Sequence, residues 1–226
     1  MRAFFAVAVL AAAVTGCTKT LETPPAPPTA GESSKPAVVK AAEKETEMPA
    51  EPFVVGRPAP DFQNLVGIDD KNHSLQDYAD AKAVVIVFTC NHCPVAVAYE
   101  DRLVQLHKDY ADKGVQLIAI NVNNLEEDKL PAMKKRAEEK GFQFPYLYDP
   151  TQKVGRDYGA AVTPHVYLLD GERRLAYVGA IDDNQDASKV TQHYLRDAID
   201  AVLAGQQPQT AETKAFGCSI KYEDAT

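Results

Sequence analysis

The pattern of apolar and polar positions divides the chain near residue 53. Upstream, an apolar stretch from Ala3 to Val14 gives way to Thr18 to Pro52, which holds seven of the fifteen prolines and almost no large apolar side chains. Downstream, buried-strand runs alternate with helical stripes. Ala83-Val84-Val85-Ile86-Val87-Phe88 is an unbroken, mostly β-branched run and predicts a buried strand. Pro94 to Lys113 carries Tyr99, Leu103, Leu106 and Tyr110 on one stripe and stops at Gly114, a helix with a glycine terminator. Val115 to Ile120 predicts a second buried strand. A polar helix follows, starting between Asn124 and Pro131 and ending at Gly141. Phe144 to Tyr148 reads as a short extended piece and Gln152 to Tyr158 as a short helix. Val166 to Leu169 and Leu175 to Gly179 form a hairpin across the Asp170-Gly171 turn signal. Ser188 reads as the cap of a last helix, with Leu195, Ala198, Ile199 and Val202 on one stripe and Gly205 at its end. The order β-α-β-α, then β-β-α, implies an α/β fold with a central mixed sheet flanked by helices on both faces. Residues 53–205 make the folded domain, and 206–226 a C-terminal extension holding Cys218.

Composition narrows this picture. At 226 residues and 45% hydrophobic, the chain can bury one substantial core plus extensions. The net charge is −8, with no basic cluster, which argues against a nucleic-acid partner. Four cysteines, at positions 17, 90, 93 and 218, are too few for a disulfide scaffold, so each is read by its position.

The first cysteine belongs to an export signal. Met1-Arg2 supplies the positive end, and the apolar stretch is too short to span a bilayer. Val14-Thr15-Gly16-Cys17 resembles a bacterial lipobox, which implies a signal peptide at 1–16 and lipidation of Cys17. The competing reading is an ordinary signal peptide with an incidental Cys. Residues 17–52 then form a disordered tether rich in Pro, Ala and Glu. Acyl chains would hold the protein to a membrane without a spanning segment. Thr18 after Cys17 favours the outer membrane, facing the periplasm.

The next two cysteines carry the chemistry. Cys90-Asn91-His92-Cys93-Pro94 follows directly on the first buried strand. Pro94 favours the first position of a helix, which makes Cys93 the N-cap and leaves Cys90 on the loop before it. Exposed N–H groups and the helix dipole favour a thiolate at Cys93, and His92, if cationic, pushes the same way. A purely structural disulfide, and a solvated loop role for His92, are the bland readings.

With the Thr163-Pro164-His165 element leading into a strand, these residues resemble the thioredoxin fold, which has a dithiol at the first strand-to-helix junction and a cis-proline before its third core strand. Gly56-Arg57-Pro58-Ala59-Pro60-Asp61-Phe62, the stretch Phe142 to Thr151, Tyr177 to Asn184 and the tail Phe216-Gly217-Cys218-Ser219-Ile220-Lys221 are similar to redoxins, in particular the peroxiredoxin-like AhpC/TSA-type proteins that carry a CxxC. The resemblance spans about Val55 to Tyr222. It implies a thiol–disulfide oxidoreductase acting through Cys90 and Cys93, with His92 beside them. It also implies that Pro164 holds the Thr163 backbone open for an extended substrate strand. Its partners would be protein disulfides or dithiols and an electron donor or acceptor that the sequence does not identify, with no cofactor beyond the redox-active disulfide.

Two departures matter. Relative to thioredoxins the CxxC is displaced toward the strand, so Cys93 takes the place of the first thioredoxin cysteine, and Ala96 stands where a second would lie. Cys93 is therefore the preferred nucleophile and Cys90 the resolving partner, with the reverse assignment still open. In the peroxiredoxin pattern Pro-x-x-x-Thr-x-x-Cys, Ile86 and Cys90 replace Pro and Thr ahead of Cys93, which argues for weak thiol peroxidase activity at most. A second function class is a copper metallochaperone or sensor, with Cys90, Cys93, His165 and Cys218 as soft ligands. Cys218 itself stays open between a buried hydrophobe, a third redox thiol and a metal ligand.

Overall fold

The computed structural model describes residues 53–223; the signal peptide, Cys17 and the tether lie outside them. Nine strands and four helices follow in order: β1 (Leu65–Gly67), β2 (Asn72–His73), β3 (Ala83–Phe88), α1 (Pro94–Tyr110), β4 (Val115–Asn121), α2 (Leu130–Lys140), β5 (Tyr146–Tyr148), α3 (Lys153–Tyr158), β6 (Val162–Thr163), β7 (His165–Leu169), β8 (Leu175–Gly179), α4 (Tyr194–Leu203) and β9 (Cys218–Ser219). Seven strands form one mixed sheet in the order β2-β1-β5-β4-β3-β7-β8. The strands β3, β4 and β5 run parallel, and β7 lies antiparallel to β3 with Phe88 opposite His165.

The central strand is buried on both faces, which is why it reads as an unbroken apolar run. Val85 and Val87 point to one face, against Tyr99, Leu103 and Leu106 of α1, Met133 of α2, and Leu195 and Ile199 of α4. Val84, Ile86 and Phe88 point to the other, against Val154 and Tyr158 of α3 and Phe62 and Leu75 from the N-terminal segment. Each such side chain contributes roughly 1.5–3 kcal/mol on burial. The expected α/β architecture, with helices on both faces, is present. Gly114 and Gly141 end their helical segments in the left-handed conformation, at φ 90° and 67°.

Three elements differ from expectation. The last helix begins at Tyr194, not at Ser188. Ser188 instead gives its N–H and hydroxyl to the Asp186 carboxylate, at 3.0 and 2.7 Å, in a single 3-10 turn. Thr191 is then tied to Asp183, so local side-chain bonds outcompete the helix until the apolar stripe begins. The third parallel strand is limited to Tyr146–Tyr148, because Pro145 has no N–H to donate. The β1–β2 hairpin was not anticipated.

The C-terminal segment folds back over the domain. Val178 at the edge of β8 accepts the Thr213 N–H and donates its own N–H to the Ala211 carbonyl, and Ile220 is buried among the side chains of the α3 face. Between them β9 pairs antiparallel with β6, with Cys218 opposite Thr163.

Candidate active site

The dithiol loop lies just beyond the C-terminal end of β3, and the end of β4 and the segment leading into α2 close its flank. Openings at the carboxyl ends of parallel strands are where α/β proteins place their chemistry. Cys93 is the N-cap of α1, as Pro94 implied, and its sulfur accepts the Ala96 N–H at 3.5 Å. As a thiol it donates to the Thr163 carbonyl at 3.3 Å. Cys90 sits 3.1 Å from the Thr163 hydroxyl. Thr163 thus touches both thiols, and the Thr163–Pro164 bond that follows is cis. Both cysteines are buried, and all three described cysteines are free thiols.

The two thiols are electrostatically unequal. Burial pushes Cys90 up to about 12, aided by the Asp128 carboxylate, against the Thr163 hydroxyl and the Cys93 N–H. Burial opposes ionisation at Cys93 too. There the hydrogen bonds from the Cys218 thiol, the Ala96 and Cys218 N–H groups and Thr163 prevail, and hold it below the ordinary thiol range.

A polar cradle supports the loop. The Asp128 carboxylate is fully buried; it accepts the Asn91 N–H at 2.7 Å and the Asn121 amide at 3.2 Å, and it pairs with Nδ1 of His92. Tyr146 donates its hydroxyl to the Asn91 side chain at 3.0 Å, and that amide reaches the Glu127 carbonyl at 2.6 Å. His92 therefore faces Asp128 rather than standing free in the loop. Asp128, Asn91, Asn121 and Tyr146 were not foreseen. The acidic run Glu126-Glu127-Asp128 was the available signal, but it reads equally well as a solvated turn.

The structure brings Cys90, Cys93, Thr163 and Cys218 together, and it does not add His165. That imidazole packs against Tyr167, accepts the Ala161 N–H at 3.4 Å, and is held by burial at about 4. Among the described residues, the metal-type donors that converge within 4.8 Å are Cys90, His92 and Asp128, a different set from the soft one read from the sequence. The expected open edge at Thr163 is also corrected. The edge of β6 is already paired with the chain's own residues Cys218 and Ser219.

A mixed sheet with a dithiol at the first strand-to-helix junction and a Thr-Pro element beside it defines a thioredoxin-like protein. Residues 55–178 match the AhpC/TSA family, and the chain belongs to that family. A crystal structure of an uncharacterized conserved protein from Geobacillus kaustophilus is 41% identical, with a TM-score of 0.72, over 77% of this chain and 95% of that one. The thiol-disulfide oxidoreductase ResA of Bacillus thuringiensis is 27% identical over 128 residues, 55% of this chain and 69% of ResA. The thiol:disulfide interchange protein DsbE of Allochromatium vinosum is 26% identical over 135 residues, 57% of this chain and 69% of DsbE.

Proposed function

We propose that this protein is a membrane-tethered thiol–disulfide oxidoreductase that works through Cys93 and Cys90 on protein disulfides or dithiols. The observation that carries the reading is the placement of Cys93 at the N-cap of α1, its sulfur on the Ala96 N–H, beside a second thiol and over Thr163. Such a sulfur is a good nucleophile near neutral pH and a good leaving group. Cys93 attacks a substrate disulfide, a mixed disulfide forms, and a second protein thiol displaces the substrate. The relation to ResA and DsbE supports the same chemistry. Export and anchoring rest on the sequence signals at Met1 to Val14 and Cys17. Among the described residues no helix is long and apolar enough to cross a membrane.

The test is catalytic reduction of insulin disulfides by the full chain, fed by dithiothreitol, beside a peroxide-consumption assay. Insulin reduction that is lost in Cys93→Ser supports the proposal. Reduction at the uncatalysed rate, or peroxide consumption as the dominant activity, overturns it. Peroxide reduction is disfavoured because the hydroxyl of the peroxiredoxin pattern is replaced by Cys90, whose sulfur is engaged by Thr163.

A further inference from the structure

The tail that crosses the dithiol brings a third thiol to it, and several features hold it there. Phe216 lies edge-on to Tyr99 of α1, with ring centroids 6.1 Å apart, and Tyr222 donates its hydroxyl to the Ala160 carbonyl at 2.7 Å. Between these anchors the backbone passes very close to Thr163. Gly217 has φ 152°, and a Cβ there would stand 2.0 Å from the Thr163 carbonyl oxygen, so only glycine permits the approach. Cys218 then falls opposite Thr163. Its side chain packs against the cluster of Cys90, Cys93 and Ala96, and there its thiol and N–H favour the Cys93 thiolate. Val95 packs against the same cluster, and its N–H favours the Cys218 thiolate, as the Ala96 N–H that bonds the Cys93 sulfur favours that of Cys93. Both sulfurs therefore lie at the first turn of α1, where negative charge is favoured. Cys90 and Cys93 are buried, whereas Cys218 is partly exposed and is the thiol that solvent reaches.

We propose that Cys218 is the thiol that resolves mixed disulfides on Cys93, forming a Cys93–Cys218 disulfide, and that Cys90 acts in a later exchange. This rests on the dithiol reading above. Because Cys93 is enclosed, a substrate sulfur enters as the tail lifts, and the returning tail delivers Cys218 to the bond. In the first step the Cys93 thiolate attacks the substrate disulfide; a Cys93–substrate S–S bond forms, and the other substrate sulfur leaves as a thiolate. In the second, Cys218 gives its proton to water and attacks the Cys93 sulfur. The Cys93–Cys218 bond forms, and the remaining substrate sulfur leaves and takes up a proton. In the third, Cys90 loses its proton and attacks Cys93, releasing Cys218 as a thiolate onto the Val95 N–H. Two electrons have then passed from the Cys90/Cys93 dithiol to the substrate, and an external dithiol donor restores the pair.

The electrostatics of the three thiols run the same way. The hydrogen bond to Cys93 is the foremost reason that the Cys218 thiol holds its proton, and burial and the Cys93 charge add to it. Once Cys93 is bonded to substrate its charge is gone, and Cys218 ionises more readily. Cys90 loses the charge of Cys93 as a neighbour as well, but the burial that chiefly restrains it does not change when Cys93 reacts.

The experiment mixes the reduced full chain with one equivalent of oxidised glutathione, quenches with acid, alkylates and maps the linked peptides. The expected result is a Cys93–glutathione adduct that decays as a Cys93–Cys218 linkage appears. Cys218→Ser should lengthen the adduct lifetime at least about tenfold, and Cys90→Ser should not. Gly217→Ala keeps every thiol but displaces the tail, and should behave as Cys218→Ser does. The linkage in the unmutated chain is read independently of how any variant folds. An adduct that forms and decays with no Cys93–Cys218 linkage overturns this inference while leaving the dithiol reading intact. Absence of any adduct on Cys93 overturns both.

Discussion

A limiting dose of iodoacetamide at pH 7 should alkylate Cys93 before Cys90, and the margin follows from the site. Cys90 is held at about 12, against an ordinary thiol value of 9.0, while Cys93 lies below that value. Three units of separation make the Cys93 thiolate at least about 1,000-fold more populated at neutral pH. The more basic Cys90 thiolate is intrinsically the better nucleophile, and a Brønsted slope of about 0.4–0.5 returns roughly 15- to 30-fold of that advantage. The net preference for Cys93 is therefore about thirtyfold or more. Burial does not reverse it, because both thiols are enclosed to a similar degree, 2% and 0% exposed. The assay is peptide mapping after single-hit labelling of the reduced full chain, repeated in Cys93→Ser and Cys90→Ser. The labelling rate at Cys93 should reach half its plateau below the ordinary thiol pKa. Cys93→Ser should remove the fast phase, and Cys90→Ser should retain it. Fast labelling of Cys90, with Cys93 silent, would refute the argument and restore the thioredoxin-like assignment in which the first cysteine attacks.

Two further outcomes test the surroundings of the site. Burial holds His165 at about 4, below its ordinary 6.5, so the fold favours the neutral ring; its contribution is complete above about pH 6.5 and is lost as pH falls toward 4. The loss amounts to about 3 kcal/mol, and urea unfolding across that window should show it in the unmutated chain and a flatter acid limb in His165→Phe; an unchanged acid limb would remove His165 as the cause. Asp128→Ala strips the buried acceptor from the Asn91 N–H and one acceptor from the Asn121 amide, and should cost about 2–4 kcal/mol in the same assay. It should also lower the Cys90 pKa, because a neighbouring negative charge is gone; a Cys90 titration that does not move would show that burial alone sets it.

Most of the sheet was legible because its signals are local. The run Ala83–Phe88 forms the predicted strand without a change of boundary, since a strand covered on both faces must be apolar at every position. The hairpin of β7 and β8 was legible in its Asp-Gly turn, and the start of α1 in Pro94. The helix assigned to Ser188 failed for an equally local reason. A Ser is as ready to close a turn with a nearby Asp as to cap a helix, and Asp186 decided the matter. The β1 and β2 strands, three and two residues long, are too short to carry any periodic signal.

The site divides along the same line. Its two sulfurs come from one short stretch of sequence, and their spacing shows at once that thiol chemistry is intended. What makes them unequal is not local. The carboxylate that helps raise Cys90 comes from Asp128, and the thiol and amide that help lower Cys93 come from Cys218, near the far end of the chain. Thr163, the residue that both thiols share, reaches them from a third segment. A pattern read along the chain marks Thr163 and Cys218 as candidates without saying what they touch, and sees Asp128 as an ordinary loop residue, because each contact lies dozens of positions away. Gly217 is the clearest instance. In sequence it belongs to a tail that carries a resemblance but no stated role, whereas in the fold it is the one residue type that lets the tail lie against the Thr163 carbonyl and set Cys218 beside Cys93. The dithiol motif supplies the two thiols, and the tertiary fold decides which of them ionises first and which thiol stands beside it.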